Sequence, residues 1–225
     1  MASFSCTPRY GFHSDDIVAP LTTTRVVDFP MNLQDARTFI QGKLERELPS
    51  SLAYHNAAHT ADVCEAALRL AALEGVEDAE SLACLELACW MHDVGFIESP
   101  HRHEKRACEL VDAWLPDFGV DEGARRLIKE LILSTELHSP ATTLLEQIIQ
   151  DADLDYLGRE DYTPRAEGLR QELEHRGQRF SDVDWIEFQI HFLSTHRYKT
   201  ASAQRLRQAG KRAHLDALRD RLQSI

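Results

Sequence analysis

Residues 82–96 read LACLELACWMHDVGF, and the fold follows from how this stretch is satisfied. Leu82, Leu85 and Cys89 recur at helical spacing, Asp78 is placed to cap a helix over 79–93, and Gly95 is a stop signal after it. The LACLELACWM run is apolar on nearly every side, so the helix is expected to be largely buried. A histidine and an aspartate, His92 and Asp93, stand at its end. An unpaired carboxylate is costly to bury, so this pair requires partners from elsewhere in the chain.

The same periodicity extends in both directions. Leu33, Phe39, Ile40, Leu44 and Leu48 form a helical stripe behind an Asn32 cap. Val63, Ala66, Ala67 and Leu70 share one face of 57–73. Further helices are predicted over 103–115, 122–137, 142–157, 162–176, 182–196 and about 201–223. Residues 1–30, with Pro8, Pro20 and Pro30, read as irregular, and TTTRVVDF (22–29) is their one short strand candidate. No linker or composition shift divides the remainder. The expectation is an all-α fold: one domain of about eight or nine helices over residues 31–225.

Composition narrows the function classes. The chain has 225 residues, 43% hydrophobic and 28% charged, with 10 glycines and 8 prolines, which disfavours collagenous and many-hairpin β architectures. The net charge of -12 repels a phosphate backbone, so a nucleic-acid polymer is not an expected partner. It leaves room for a small anionic substrate, because a bound metal inverts local electrostatics. Five cysteines (Cys6, Cys64, Cys84, Cys89 and Cys108) without a CxxC pair suggest free thiols in a reducing cytosol. The first 16 residues lack a basic region followed by an apolar run, and no apolar run approaches membrane-spanning length. A cytoplasmic protein without a secretory leader or membrane partner is expected.

The polar residues that interrupt apolar helices carry the chemistry. His55 and His59 in YHNAAH (54–59) are four apart, which on a helix would give them a common face. The spacing matches that of a zinc protease, but Asn56 stands where the general-base glutamate is needed, which rules that reading out. In DADLD (151–155), 100° per residue puts Asp153 beside Ile149, Ala152 and Tyr156 on the apolar face, with Asp151 and Asp155 pointing largely away. Imidazole and carboxylate from separate helices are the ligand mix of Fe, Mn, Zn, Co or Ni sites. His59, His92, Asp93 and Asp153 are therefore expected to converge in the bundle core.

These residues resemble the signature of the HD superfamily of metal-dependent phosphohydrolases. His59 opening a helix with Val63 four residues on, the MHDVGF doublet and DADLDYLG match its elements in order. YHNAAH is similar to the first motif of cyclic-nucleotide phosphodiesterases. FLSTHRYKT (192–200) and the helix after it are similar to a group of bacterial HD proteins of this length. The resemblance implies an all-α HD-type domain and one or two divalent ions (Fe, Mn, Zn, Co, Ni or Mg). It implies metal-dependent hydrolysis of a small phosphomonoester or phosphodiester, such as a nucleotide. His59, His92, Asp93 and Asp153 would be ligands, with Asp93 able to bridge two ions. His55, outside the ligand set, would protonate the leaving oxygen. His103, Glu104 and His138 are the candidates for a second ion.

A phosphate also needs nearby positive charge, for which Arg102, Lys105, Arg106 and Lys211 are available, Lys211 foremost. His101, His175, His191, His196 and His214 read as solvated or core residues. Two alternatives remain: a di-iron oxygenase of the same superfamily, which needs an extra pair of histidine ligands, and a helical interaction module without catalysis. Turnover with Mn or Mg in the absence of oxygen separates the oxygenase from the hydrolase.

Overall fold

A helix with no polar face has to sit at the centre of its protein, and the 79–91 segment does. The computed structural model describes residues 31–225. Among the described residues the chain is all-α: α1 (Leu33–Glu47), α2 (Ala57–Leu73), α3 (Ala79–Met91), α4 (His103–Trp114), α5 (Glu122–Ser134), α6 (Leu144–Asp153), α7 (Tyr162–His175), α8 (Asp182–Thr195) and α9 (Ala201–Gln223). The N-terminal segment 1–30, with the strand expected at 22–29 and Cys6, lies outside the described residues. No described helix is long and apolar enough to cross a membrane.

In α3, Cys84, Leu85, Leu87, Ala88, Cys89, Trp90 and Met91 are all buried. The helix packs against α1, α2, α5 and α6, so its C-terminal end opens into the middle of the bundle. Two caps fall where the sequence placed them, Asn32 accepting from the Asp35 N–H and Asp78 from Ser81, and Asp121 caps α5 by accepting from Ala124. Cys64, Cys84, Cys89 and Cys108 are free thiols. Burial raises the pKa of each, Cys64 to about 12 and Cys84 and Cys108 to about 11, which keeps them protonated and unreactive.

Three local expectations change. Gly95 does not stop α3. It sits inside a short 3-10 turn, Val94–Ile97, that follows the His92-Asp93 pair. Its missing side chain matters because a Cβ there would lie 2.0 Å from the His103 carbonyl oxygen, so this turn and the first residue of α4 are in backbone contact. Gly95→Ala is therefore expected to destabilise the fold by roughly 2 kcal/mol or more, an overpacking cost with no flexible neighbour to absorb it. A thermal melt would register this as a fall in Tm of about 4–8 °C.

The second change concerns His55 and His59: α2 spans Ala57–Leu73 as expected, so it begins after His55. Asn56 is its N-cap and accepts from the Ala58 and His59 N–H groups. His55 and His59 therefore share no helical face, and Asn56 has its own structural role at the position where the protease motif carries glutamate.

The third concerns α6, expected to run to 157. It ends at Asp153, Leu154 breaks it, and a 3-10 turn spans Asp155–Gly158. Asp151 and Asp155, expected to point away from the core, are each 1% exposed. Asp151 accepts from the Lys199 and Thr200 N–H groups at 2.9 and 2.7 Å and from the Thr200 hydroxyl at 2.8 Å, so it grips the loop between α8 and α9. Asp155 takes two bonds from Arg207 and one from Arg69. Gly158 and Gly210 allow the turn and α9 to touch, since a Cβ on Gly210 would lie 2.1 Å from the Gly158 carbonyl oxygen.

Candidate metal centre

Each of the four expected ligands is placed by a helix end. His59 occupies the first turn of α2. His92 is the C-cap of α3, and Asp93 follows it with φ -104 and ψ 2. Asp153 is the last residue of α6. All four meet where these three mutually packed helices open toward one another.

His59 and His92 are 3% and 1% exposed and Asp93 is 2% exposed, while the Asp153 side chain keeps a partly open edge. One donor atom from each of His59, His92 and Asp93 lies within 4.8 Å of the other two. His59 Nε2 is 3.6 Å from Asp93 Oδ2 and 3.2 Å from Asp153 Oδ1. His92 Nε2 is 3.2 Å from Asp93 Oδ2 and 3.7 Å from Asp153 Oδ1.

Yet His59 Nε2, His92 Nε2 and Asp93 Oδ2 are all buried without a hydrogen bond. Buried polar atoms are rarely left so. The orientation of His92 accounts for its part: its Nδ1–H donates to the Cys89 carbonyl at 2.7 Å, which turns Nε2 toward the cluster as the atom that can bind an ion. One proton can join only two of these atoms. Donors held at ~2.1 Å around one ion are separated by about 3.0–3.4 Å in octahedral or tetrahedral geometry. The observed separations of 3.2–3.7 Å fit a single transition-metal ion with little adjustment.

The electrostatics agree. Burial disfavours charge on both aspartates, but the neighbouring imidazoles outweigh it and hold both below the ordinary carboxylate range. Burial likewise opposes a charged His92, and the Asp93 and Asp153 carboxylates still raise its pKa to about 9. The pocket attracts positive charge strongly enough to offset desolvation.

A second group stands on the other side of Asp93. Its Oδ1 faces His103 Nε2 at 3.4 Å, and His103 Nε2 is 3.3 Å from Glu104 Oε1. His103 stacks on Phe96 with ring centroids 4.1 Å apart, and His55 stacks on the same ring at 4.5 Å. Asp93 thus has one oxygen toward His59 and His92 and the other toward His103. His138 is apart from this group: it is exposed, with φ 71, in the loop between α5 and α6.

His55 has a partner that the sequence reading missed. Its Nδ1 lies 2.7 Å from Glu172 Oε1, on α7, and the Glu172 side chain is 1% exposed. Glu172 also accepts from the Tyr54 and His55 N–H groups and pairs with Arg176. Burial lowers the His55 pKa, but Asp93 and Glu172 raise it by more, and His55 holds Glu172 below the usual range in turn. One turn earlier on α7, Gly168 lets the helix approach this segment, since a Cβ there would lie 3.2 Å from the Ala53 carbonyl oxygen.

The expected phosphate-binding lysine lies elsewhere. Lys211 is 2% exposed, and its Nζ donates to the His196 carbonyl at 2.8 Å and lies 5.0 Å from the Tyr198 ring centre. Burial lowers its pKa to about 8. Arg106 is neutralised by Glu98 and Glu109. Arg102 and Lys105 are exposed at the start of α4. Arg197 and Lys199 line a cavity of about 270 Å³ together with Asp153 and His138, with Arg197 Nη1 donating to the Ser194 and His196 carbonyls, and the Arg176 guanidinium lies 5.1 Å from the centre of the Phe96 ring on which His55 and His103 stack. Asp151, two residues before Asp153, fixes the Lys199 backbone there. Of the remaining histidines, His214 stacks on Tyr162 and lies 2.7 Å from the Arg159 carbonyl, while His101, His175 and His191 are exposed.

The family model described as HD domain matches residues 56–155, from the Asn56 cap to Asp155, and so takes in all four converging residues. This is consistent with the HD superfamily of metal-dependent phosphohydrolases. Two crystal structures share the fold. One is a protein of Lactobacillus plantarum (TM-score 0.61, 20% identity, 86% of this chain and 97% of that chain). The other is the Lin1889 protein of Listeria innocua (TM-score 0.59, 17% identity, 87% and 99%). No curated protein matches this chain.

Proposed function

From the HD domain at residues 56–155, we propose that this chain is a metal-dependent phosphohydrolase acting on a small phosphomonoester or phosphodiester. The observation that carries the reading is the convergence of three buried, bond-less donor atoms, from His59, His92 and Asp93, beside Asp153. A divalent ion held by these residues supplies Lewis-acid polarisation of a phosphoryl oxygen and of the attacking water.

The chain's own groups supply the rest. Arg197 and Lys199 face the charge of the phosphoryl group from the adjoining cavity, the part expected of Lys211. His55 has one ring nitrogen held by Glu172, which leaves the other to donate a proton to the leaving oxygen. Glu172 positions that ring and favours its protonated form. The two-sided placement of Asp93 supports a second ion held with His103 and Glu104. The net charge of -12 and the free cysteines suit a small substrate and a reducing cytoplasmic setting rather than a nucleic-acid polymer.

The direct test is a panel of phosphomonoesters and phosphodiesters offered to the metal-stripped protein and to protein reconstituted with Mn, Fe, Co, Ni, Zn or Mg. Turnover restored by metal in the absence of oxygen supports a hydrolase. Turnover that requires oxygen supports an oxygenase instead. Glu172→Gln is expected to cost roughly 10–100-fold in kcat, the scale of a misplaced catalytic group, with metal content unchanged. Restoration by Glu172→Asp of part of that loss would assign the effect to the carboxylate.

A further inference from the structure

A second cavity, of about 260 Å³, leaves the metal cluster in a different direction from the basic one. Leu137, Asp153, Leu154 and Phe192 line both, so the two diverge from the Asp153 edge of the cluster. Their chemistry is opposite. The first has Arg197 and Lys199. The second has no lysine or arginine among the described residues, and its wall is mainly apolar and aromatic, with Leu169, Leu173, Trp185 and Phe188 prominent. At its far side the Tyr162 hydroxyl donates to Gln189 Oε1 at 2.9 Å and Gln189 Nε2 donates to the Trp185 carbonyl at 3.2 Å, while the other polar side chains of the wall, Tyr54, His55, Asp153 and Tyr156, are grouped toward the cluster. His55 stands at the end of this cavity that meets the cluster.

We propose that this cavity is the subsite for an uncharged aromatic or aliphatic group of the substrate. Resting on the phosphohydrolase reading, that group is the leaving group of the ester. The phosphoryl charge would face Arg197 and Lys199 while the leaving oxygen points toward His55, which donates the proton that releases it as an alcohol or phenol. Water supplies the hydroxyl that replaces it on phosphorus and gives up its other proton to solvent, from which His55 is reprotonated, so the exchange is balanced without an oxidant or reductant. A nucleoside, as the motifs alone suggested, is the poorer fit: hydroxyls carried past the cluster end of the cavity would be desolvated against the Leu169, Leu173, Trp185 and Phe188 side of the wall. The size fits, since an apolar cavity of ~150 Å³ already accommodates benzene. A fused bicyclic ring fills the larger volume and gains the burial of its whole apolar surface.

Two measurements on the full-length, metal-loaded protein test this. The first is binding of 1-naphthol, followed by its fluorescence, to the wild type and to two variants of the cavity wall. Ala166→Phe fills the cavity. Phe188→Asp puts a carboxylate on it at a residue that is already 40% exposed, so it is the safer variant for folding. The second is kcat/KM for 1-naphthyl phosphate against that for adenosine 5′-monophosphate.

Naphthol should bind the wild type, with a Kd raised about 10-fold or more in each folded variant. The naphthyl ester should be preferred by a similar factor, and that preference should be reduced in both variants. Absence of naphthol binding to the wild type overturns the inference, as does a preference for the nucleotide or an equal effect of the variants on both esters. Naphthol binding without turnover of any ester supports the apolar subsite and contradicts the phosphohydrolase reading, so the two fail separately.

Discussion

Asp153→Ala is expected to lose bound metal while the fold persists, and Asp151→Ala and Asp155→Ala are expected to do the reverse. Asp153 ends α6 with a partly open side chain whose near neighbours are His59 and His92. Its loss removes a ligand and relieves a buried charge cluster, so Tm should change little. Metal affinity should fall by more than ~100-fold, since even the outer partners of ligands are worth ~10–100-fold. Asp151 instead satisfies two backbone N–H groups and a hydroxyl in the loop before α9. Each buried donor left without a partner costs ~1–3 kcal/mol, so Asp151→Ala should cost about 3 kcal/mol in all. At this chain length that lowers Tm by about 6–12 °C. Asp155→Ala strands Arg207 and Arg69 and should cost a similar amount. Thermal melts paired with metal analysis on the three variants separate the roles. Equal metal loss on Asp151→Ala at an unchanged Tm would contradict this assignment.

The second large effect is at His55. His55→Ala should keep its metal and lose kcat by ~10²–10⁴-fold, the range for a proton donated in the transition state. The loss should depend on the leaving group. An alkoxide hardly departs without a proton and should show the full effect. p-Nitrophenolate scarcely needs one and should show much less. His59→Ala, by contrast, should lose metal and therefore activity toward both. An equal loss of both substrates on His55→Ala at full metal content would make His55 a positioning residue only. Loss of metal from that variant would make it a ligand.

The fold was legible because α3 cannot be placed anywhere except at the centre. Once a helix with Leu85, Leu87 and Met91 all buried is fixed there, its neighbours have to be amphipathic helices, and their stripes were visible. The convergence of His59, His92, Asp93 and Asp153 was legible for a related reason: polar residues at the ends of apolar helices have few places to go. The helical wheel turned Asp153 toward the other candidates, and the structure has it 3.2 Å from His59, but it misjudged the residues on either side. It assumed that α6 continued to 157, whereas the helix ends at 153 and the following 3-10 turn rotates Asp155 inward onto Arg207. It also treated the face carrying Asp151 as open, and the α8–α9 loop, some 48 residues away in sequence, covers it.

Glu172 and Lys211 escaped the sequence reading because their roles depend on distant partners. Glu172 acts on His55 across 117 residues, which no local period encodes. Lys211 lies on a helix rich in exposed arginines, and nothing in its spacing shows that the His196 carbonyl takes up its ammonium. The two cavities that diverge at Asp153 were equally hidden, because each is assembled from several separate segments of chain.

The measurement that bears most directly on the central claim is the metal content of the purified protein, by elemental analysis after reconstitution and removal of loose ions. The wild type should hold about one equivalent of a transition ion, or two if His103 and Glu104 complete a second position, because three converging donors with no internal partners bind a cation in preference to burying unmatched lone pairs. His92→Ala should fall well below one equivalent while keeping its helical circular-dichroism spectrum. A wild type that takes up no ion in stoichiometric amount, or a folded His92→Ala that holds as much as the wild type, would contradict the assignment of this cluster as a metal centre.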